Sequence, residues 1–278
     1  MMAKIECGDY TLRLGRTLVM GILNVTPDSF YDGGRNLNYD AAVEHAMRLA
    51  SEGADIIDVG GESSRPGAVP VSAKEEAGRI VPVIKALSSN LDIPLSVDSY
   101  TPEVVRAAIT AGASMVNDIY GLRSKGMAEA VASSGLPVVV MHMQGTPSNM
   151  QDSPKYTDIV SDIVGFFKER VEFAGSIGIA DDRIILDPGI GFGKTTEHNL
   201  AILKNIREFK KIGLPLLVGH SRKSFIGNVL GIPVEDRLPA TLGVTAYCAL
   251  NGVDVLRVHD VKENVGVIRL LDRVLGSH

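Results

Sequence analysis

The chain has 278 residues, 45% of them apolar and 5% aromatic, with no tryptophan, so it can bury one large aliphatic core. Its formal net charge of −5, with acids and bases interspersed, argues against a nucleic-acid footprint. Only two cysteines occur, Cys7 and Cys248, far apart. No apolar run approaches the ~20 residues of a membrane span, and the start lacks a signal-peptide core. The expectation is a soluble cytoplasmic protein with reduced thiols.

Residues 4–13, K-I-E-C-G-D-Y-T-L-R, alternate around Gly8-Asp9 and predict a small hairpin. Strand-like runs follow at 18–23, 55–59, 94–97, 114–116, 137–141, 184–186, 215–218 and 254–258. Amphipathic stretches lie near 40–52, 73–89, 102–112, 125–134, 157–178, 197–211, 237–251 and 261–275. Strands alternating with helices predict parallel βαβ units. A doubly wound open sheet fits that alternation, but eight regular repeats favour a closed (β/α)8 barrel (α/β class, TIM type) behind the hairpin. No linker or low-complexity break divides the chain, so residues 1–278 read as one domain.

Around the sixth run the sequence is R-I-I-L-D-P-G-I-G-F-G-K-T, residues 183–195. The strand ends on Asp187, Pro188 stops the ladder, and three glycines let the backbone approach a ligand. Thr195, Thr196 and Glu197 offer caps for a helix starting near His198. Two phosphate motifs fail here by one position. A P-loop would need glycine where Pro188 stands, and in a dinucleotide fingerprint the third glycine arrives one residue early.

The other runs also end on polar groups: Asn24, the G-G-E-S-S-R-P-G run at 60–67, Asp98, Asn117-Asp118, His142, the G-H-S-R-K-S run at 219–224, and Arg257 with His259. In a barrel these ends surround one mouth. Each could instead be structural, and Asp118 reads best as a cap for the following helix. Asp98, Asn117 and Asp187 suit a neutral heterocycle rich in N–H donors. Lys223, Arg65, Arg257 and His259 suit phosphate or carboxylate. The loops at 24–34 and 61–67 are long enough to close over a reaction. Together they predict a substrate with a polar heterocycle at one end and an anion at the other.

In register along the chain stand N-V-T-P-D-S-F-Y-D-G-G, D-V-G-G-E-S-S-R-P-G, S-V-D-S, D-P-G-I-G-F-G-K, S-R-K-S and R-V-H-D. This set resembles the bacterial-type dihydropteroate synthases from Leu18 to about Leu271. The resemblance implies a (β/α)8 fold and an enzyme that joins p-aminobenzoate to 6-hydroxymethyl-7,8-dihydropterin diphosphate. The products are 7,8-dihydropteroate, for folate synthesis, and diphosphate. It implies that Asp98, Asn117, Asp187 and Lys223 hold the pterin, with Met141 and Phe192 lining its slot. Asn24 would coordinate a Mg2+ ion that accompanies the diphosphate, and Arg65, Arg257 and His259 would bind the diphosphate itself. Phe30, Ser64, Pro66 and Ser224 would form the p-aminobenzoate site, open to sulfonamides. Asp32 would stabilise a cationic methylene, and Lys223 would take part in catalysis. A homodimer through the late helices is implied as well.

Two positions depart from the family pattern. Ser64 stands where threonine is usual, and His220 stands where an apolar residue is frequent; His220 reads as structural. Related pterin methyltransferases share the barrel and the pterin acids, but would not need the S-S-R-P-G and S-R-K-S runs. A barrel that only bound pterin would not need the loop acids and arginines. The motifs fit p-aminobenzoate and a substituted aniline alike.

Overall fold

The computed structural model describes residues 3–26, 35–63 and 70–276. Phe30, Asp32, Ser64, Arg65 and Pro66 lie outside the described residues. The expected hairpin is present: β1 (Ala3–Cys7) pairs antiparallel with β2 (Tyr10–Leu14), Cys7 opposite Tyr10.

The barrel strands are β3 (Leu18–Asn24), β4 (Ile56–Gly60), β5 (Leu95–Asp98), β6 (Met115–Asp118), β7 (Val138–Met141), β8 (Ile184–Asp187), β9 (Leu217–Val218) and β10 (Val255–Val258). They form one eight-stranded parallel sheet in the order β8-β7-β6-β5-β4-β3-β10-β9. A parallel bridge between Leu186 and Leu216, with Leu186 N donating to Pro215 O at 2.9 Å, brings its ends together. Nearly every strand residue is buried, as expected when helices cover one face and the barrel interior the other.

The helices are α1 (Arg35–Ser51), α2 (Ala73–Asn90), α3 (Pro102–Thr110), α4 (Met127–Ser134), α5 (Ile159–Ser176), α6 (Thr196–Lys204), α7 (Ile206–Lys210), α8 (Ser224–Leu230), α9 (Leu238–Leu250) and α10 (Val261–Leu275). Three details differ from the sequence expectation. The stretch at 197–211 is broken at Asn205, which leaves helical geometry (φ −109°, ψ 24°) while its side chain bonds Ala201 O at 2.8 Å. An extra helix, α8, follows the seventh strand. That strand is only two residues long, because Pro215 at its expected start has no N–H for the ladder. None of the described helices is long and apolar enough to cross a membrane.

The interior is layered. At the amino-terminal end Met20, Ile56, Met115, Val139, Ile185, Leu217 and Val255 point inward and pack against Ile5, Cys7 and Leu12 of the hairpin. The hairpin therefore plugs that end. Burying Ile5 and Leu12 contributes roughly 3–6 kcal/mol before the entropy of ordering the chain is set against it. Side chains alternate along a strand, so two residues further on the same inward face carries Asp58, Asn117, Met141, Asp187 and Arg257. The barrel is apolar and sealed below, polar and open above.

Candidate active site at the carboxyl ends of the strands

The lowest polar group is Asp58, set in the buried strand sequence I-I-D-V-G. It is fully buried, and its Oδ2 accepts from Arg257 Nε at 2.6 Å and from Asn117 Nδ2 at 3.0 Å. A carboxylate can only accept, so the Asn117 NH2 must face Asp58, and its carbonyl oxygen is turned to the other side. Arg257 also donates from Nη2 to Asp98 Oδ2 at 2.5 Å. Burial alone would lower the guanidinium pKa, but the two carboxylates hold it above its ordinary value. Asp98 goes the other way: burial, with Asp58 nearby, pushes its carboxyl up to about 7 despite Arg257. Such a buried ion cluster adds little net stability once desolvation is counted, which points to a functional reason for keeping it.

A second set surrounds Asp187 and the glycine loop. Asp187 is buried and its Oδ1 accepts from Gly189 N at 2.7 Å. Burial raises its pKa, while the Gly189 N–H and Lys223 pull the other way. Lys223 sends its Nζ into the pocket, donating to Ile190 O at 2.6 Å and lying 4.0 Å from the Phe192 ring centroid. Desolvation there brings its pKa down to about 7, against the pull of Asp187.

Lys194, where the P-loop lysine would stand, has another job. It is almost fully buried, and its Nζ meets Phe192 O at 2.8 Å, His142 Nδ1 at 3.0 Å and His142 O at 3.2 Å. Burial, then Lys194, keeps the His142 imidazole neutral, its pKa pressed down to about 2. Lys194 thus ties the glycine loop to the end of β7. Its neighbour Thr195 caps α6, accepting from His198 N at 3.2 Å, as the sequence suggested.

Asn117, Met141, Asp187, Phe192, Lys223 and Arg257 line one open pocket. Met141 and Phe192 belong to an apolar cluster with Ile119, Met143 and Met150, which supplies its greasy walls. Asp98 joins these groups through Arg257. The remaining described candidates stand at the rim. Asn24 is half-buried at the end of β3, and the register Asn24–Gly60–Asp98–Asn117 runs level across four strands. His259 stands at the rim, its Nδ1 3.0 Å from Ser221 Oγ; desolvation of the ring and then Arg257 lower its pKa. Ser224 is exposed as the first residue of α8.

Two residues read as structural are placed as such, one with a change. His220 is fully buried, with Nε2 2.8 Å from Thr245 Oγ1, which in turn donates to Asn264 Oδ1 at 2.6 Å. Asp118 does not cap α4, whose N-cap is Gly126. Its oxygens accept from Tyr120 N at 2.8 Å and Leu122 N at 2.6 Å, fixing the loop where Leu122 has φ 62°.

Sequence reasoning missed Asp58 and Lys194 as organisers of the site. An acid two residues after Ile56 in an otherwise apolar strand was a signal for Asp58, since a buried charge must be paired. For Lys194, Pro188 already breaks the P-loop pattern, but nothing local pairs it with His142.

A profile of the pterin binding enzymes matches residues 20–259 of this chain. The dihydropteroate synthase of Escherichia coli strain K12 is 46% identical over 267 residues, covering 96% of this chain and 95% of that protein. Among solved structures, the Xanthomonas albilineans dihydropteroate synthase with 4-aminobenzoic acid superposes with a TM-score of 0.94 at 43% identity, covering 99% of both chains. The Yersinia pestis dihydropteroate synthase in a sulfonamide drug complex gives 0.93 at 46% identity, covering 98% of this chain and 99% of that one.

Proposed function

The chain belongs to the dihydropteroate synthases of the pterin-binding enzyme family, and from that premise we propose how its barrel mouth divides the work of the reaction. The enzyme joins p-aminobenzoate to 6-hydroxymethyl-7,8-dihydropterin diphosphate, giving 7,8-dihydropteroate and diphosphate. The observation that carries our assignment is the pocket lined by Asn117, Asp187, Lys223 and Arg257 together with Met141 and Phe192. Carboxylates and an amide there match the N–H donors and ring acceptors of a pterin, and the two apolar side chains match its faces. Asp98 and Asp187 accept from the pterin, Asn117 offers its carbonyl, and Lys223 donates.

Arg257 and His259, with Arg65, bind the diphosphate and offset the negative charge that gathers as the carbon–oxygen bond breaks. Asp32 offsets the positive charge left on the methylene. The amine of p-aminobenzoate, held by Phe30, Ser64, Pro66 and Ser224, then forms the new carbon–nitrogen bond and loses a proton. A weakly basic aromatic amine needs no strong general base for this.

Among the described residues no three His, Cys, Asp or Glu side chains converge. An ion carried on the diphosphate does fit, with the Asn24 amide oxygen as the chain's donor and phosphate oxygens and waters beside it. Bound there, it would neutralise charge on the leaving group. We also propose a homodimer, supported by the exposed Tyr247 and Leu250 on α9 and Leu270, Val274 and Leu275 on α10. A cytoplasmic setting is supported by the two buried free thiols, Cys7 and Cys248.

Diphosphate release that requires both the pterin diphosphate and p-aminobenzoate, with a sulfonamide raising the KM for p-aminobenzoate, is the expected result. Asp187→Asn turns an acceptor into a donor facing donors. A hydrogen bond to a charged group is worth roughly 1.5–3 kcal/mol, so pterin affinity by calorimetry should fall about tenfold or more. Unchanged affinity would remove Asp187 from the pterin site.

A further inference from the structure

We propose that Asp58 is the positioning residue that keeps Arg257 aimed at the diphosphate while the pterin occupies Asp98. The inference deepens the reading above and rests on it for the roles of Asp98 and Arg257. Arg257 grips two carboxylates with different nitrogens, Nε on Asp58 and Nη2 on Asp98. The two acids differ in where they stand. Asp58 is wholly enclosed and is not among the residues that line the pocket. Asp98 ends β5 at the level of the rim, half-buried, with side-chain-free Gly60 beside it.

A pterin that donates to Asp98 competes with Nη2 for that carboxylate. The Nε–Asp58 bond is untouched by this competition, so the guanidinium keeps its pivot and its terminal nitrogens become available to the anion. Asp98 is the exchangeable partner and Asp58 the permanent one. The same Asp58 oxygen also holds the Asn117 amide, so one atom sets both the pterin's amide partner and the diphosphate's cation. Both of these bonds fall on Oδ2, and Asp58 Oδ1 has no partner among the described residues.

The readout is the affinity advantage of pterin diphosphate over the bare pterin alcohol, measured by calorimetry on the full chain. Asp58→Asn should cut that advantage about tenfold. In an Arg257→Met background the same substitution should leave it unchanged, because the two residues act through one contact. Asp98→Asn, nearer the surface and safer for folding, should weaken both ligands by the same factor and preserve the advantage. A purely structural Asp58 would weaken both ligands alike in Asp58→Asn, which would overturn the proposal. Loss of the advantage in Asp98→Asn would overturn it too, since Asp98 would then be the anchor. An unchanged advantage in Arg257→Met would reject the diphosphate role of Arg257 itself, and the inference with it.

Discussion

Replacing Gly189 with alanine tests whether the glycine loop is shaped by its contact with β7. Gly189 has φ +65°, and a Cβ there would land on the His142 carbonyl oxygen, with Met141 Cγ only 3.2 Å away. Gly135, with φ +72° and nothing within 4 Å of its Cβ position, has the same backbone requirement without the contact. Gly135→Ala should therefore cost about 1–2 kcal/mol, the price of a left-handed non-glycine residue. At ~2.1 cal/mol/K per residue, a chain of 278 residues loses about 2–3 °C in Tm for that cost. Gly189→Ala carries the same cost and must also push the loop off β7. That strains the Gly189 N–H bond to Asp187 and the Lys194 bonds to His142 O and Phe192 O. The total should be roughly 3–5 kcal/mol, or about 5–9 °C. Because Asp187 and Phe192 move with the loop, pterin binding should fall at least tenfold in Gly189→Ala and stay unchanged in Gly135→Ala. Scanning calorimetry and pterin titration of the two variants side by side measure this. Equal losses of Tm with unchanged pterin affinity in both would refute the reasoning.

Glu76 on α2 is almost fully buried, has an unpartnered Oε2 among the described residues, and is pushed by burial to about 7. Its folded pKa lies above its unfolded value of 4.5, so the stability it contributes is present below that value and lost as pH rises through about 7. The fall in Tm between about pH 5 and pH 8 should therefore shrink in Glu76→Gln, by up to roughly 5 °C for a shift worth ~3 kcal/mol; an unaltered fall contradicts the assignment. For the proposed homodimer, sedimentation at micromolar concentration should give twice the 29.6 kDa chain mass, and Leu270→Glu with Val274→Glu should return it to that mass. Sedimentation at the monomer mass for the unaltered protein rejects the assembly.

The barrel was legible because its strands are short apolar runs ended by polar or turn residues, and such punctuation is local. The pocket acids were legible for the same reason: Asp98 and Asp187 close their strands, so topology alone carries them to the mouth. Asp58 and Lys194 were not, since their roles come from partners far along the chain. Arg257 follows Asp58 by 199 positions, and His142 precedes Lys194 by 52. The break at Asn205 also escaped the pattern, because the helical periodicity continues across it while the backbone does not. Asp118 read as a helix cap, whereas the loop it braces depends on the left-handed Leu122, which no sequence period reveals.

The hairpin that plugs the barrel has a consequence for the order in which the protein can assemble. β1 and β2 are available before any barrel strand, yet their seat includes Leu217 and Val255, contributed by the last two strands. β3 likewise waits for β10, whose Val255 pairs with Leu18. Closure therefore depends on contacts that span almost the entire chain, the kind that slow folding most. Until they form, β3 exposes an unpaired edge and the hairpin an uncovered apolar face, which are the surfaces from which misassembly starts. The seal at the base marks the completion of the barrel.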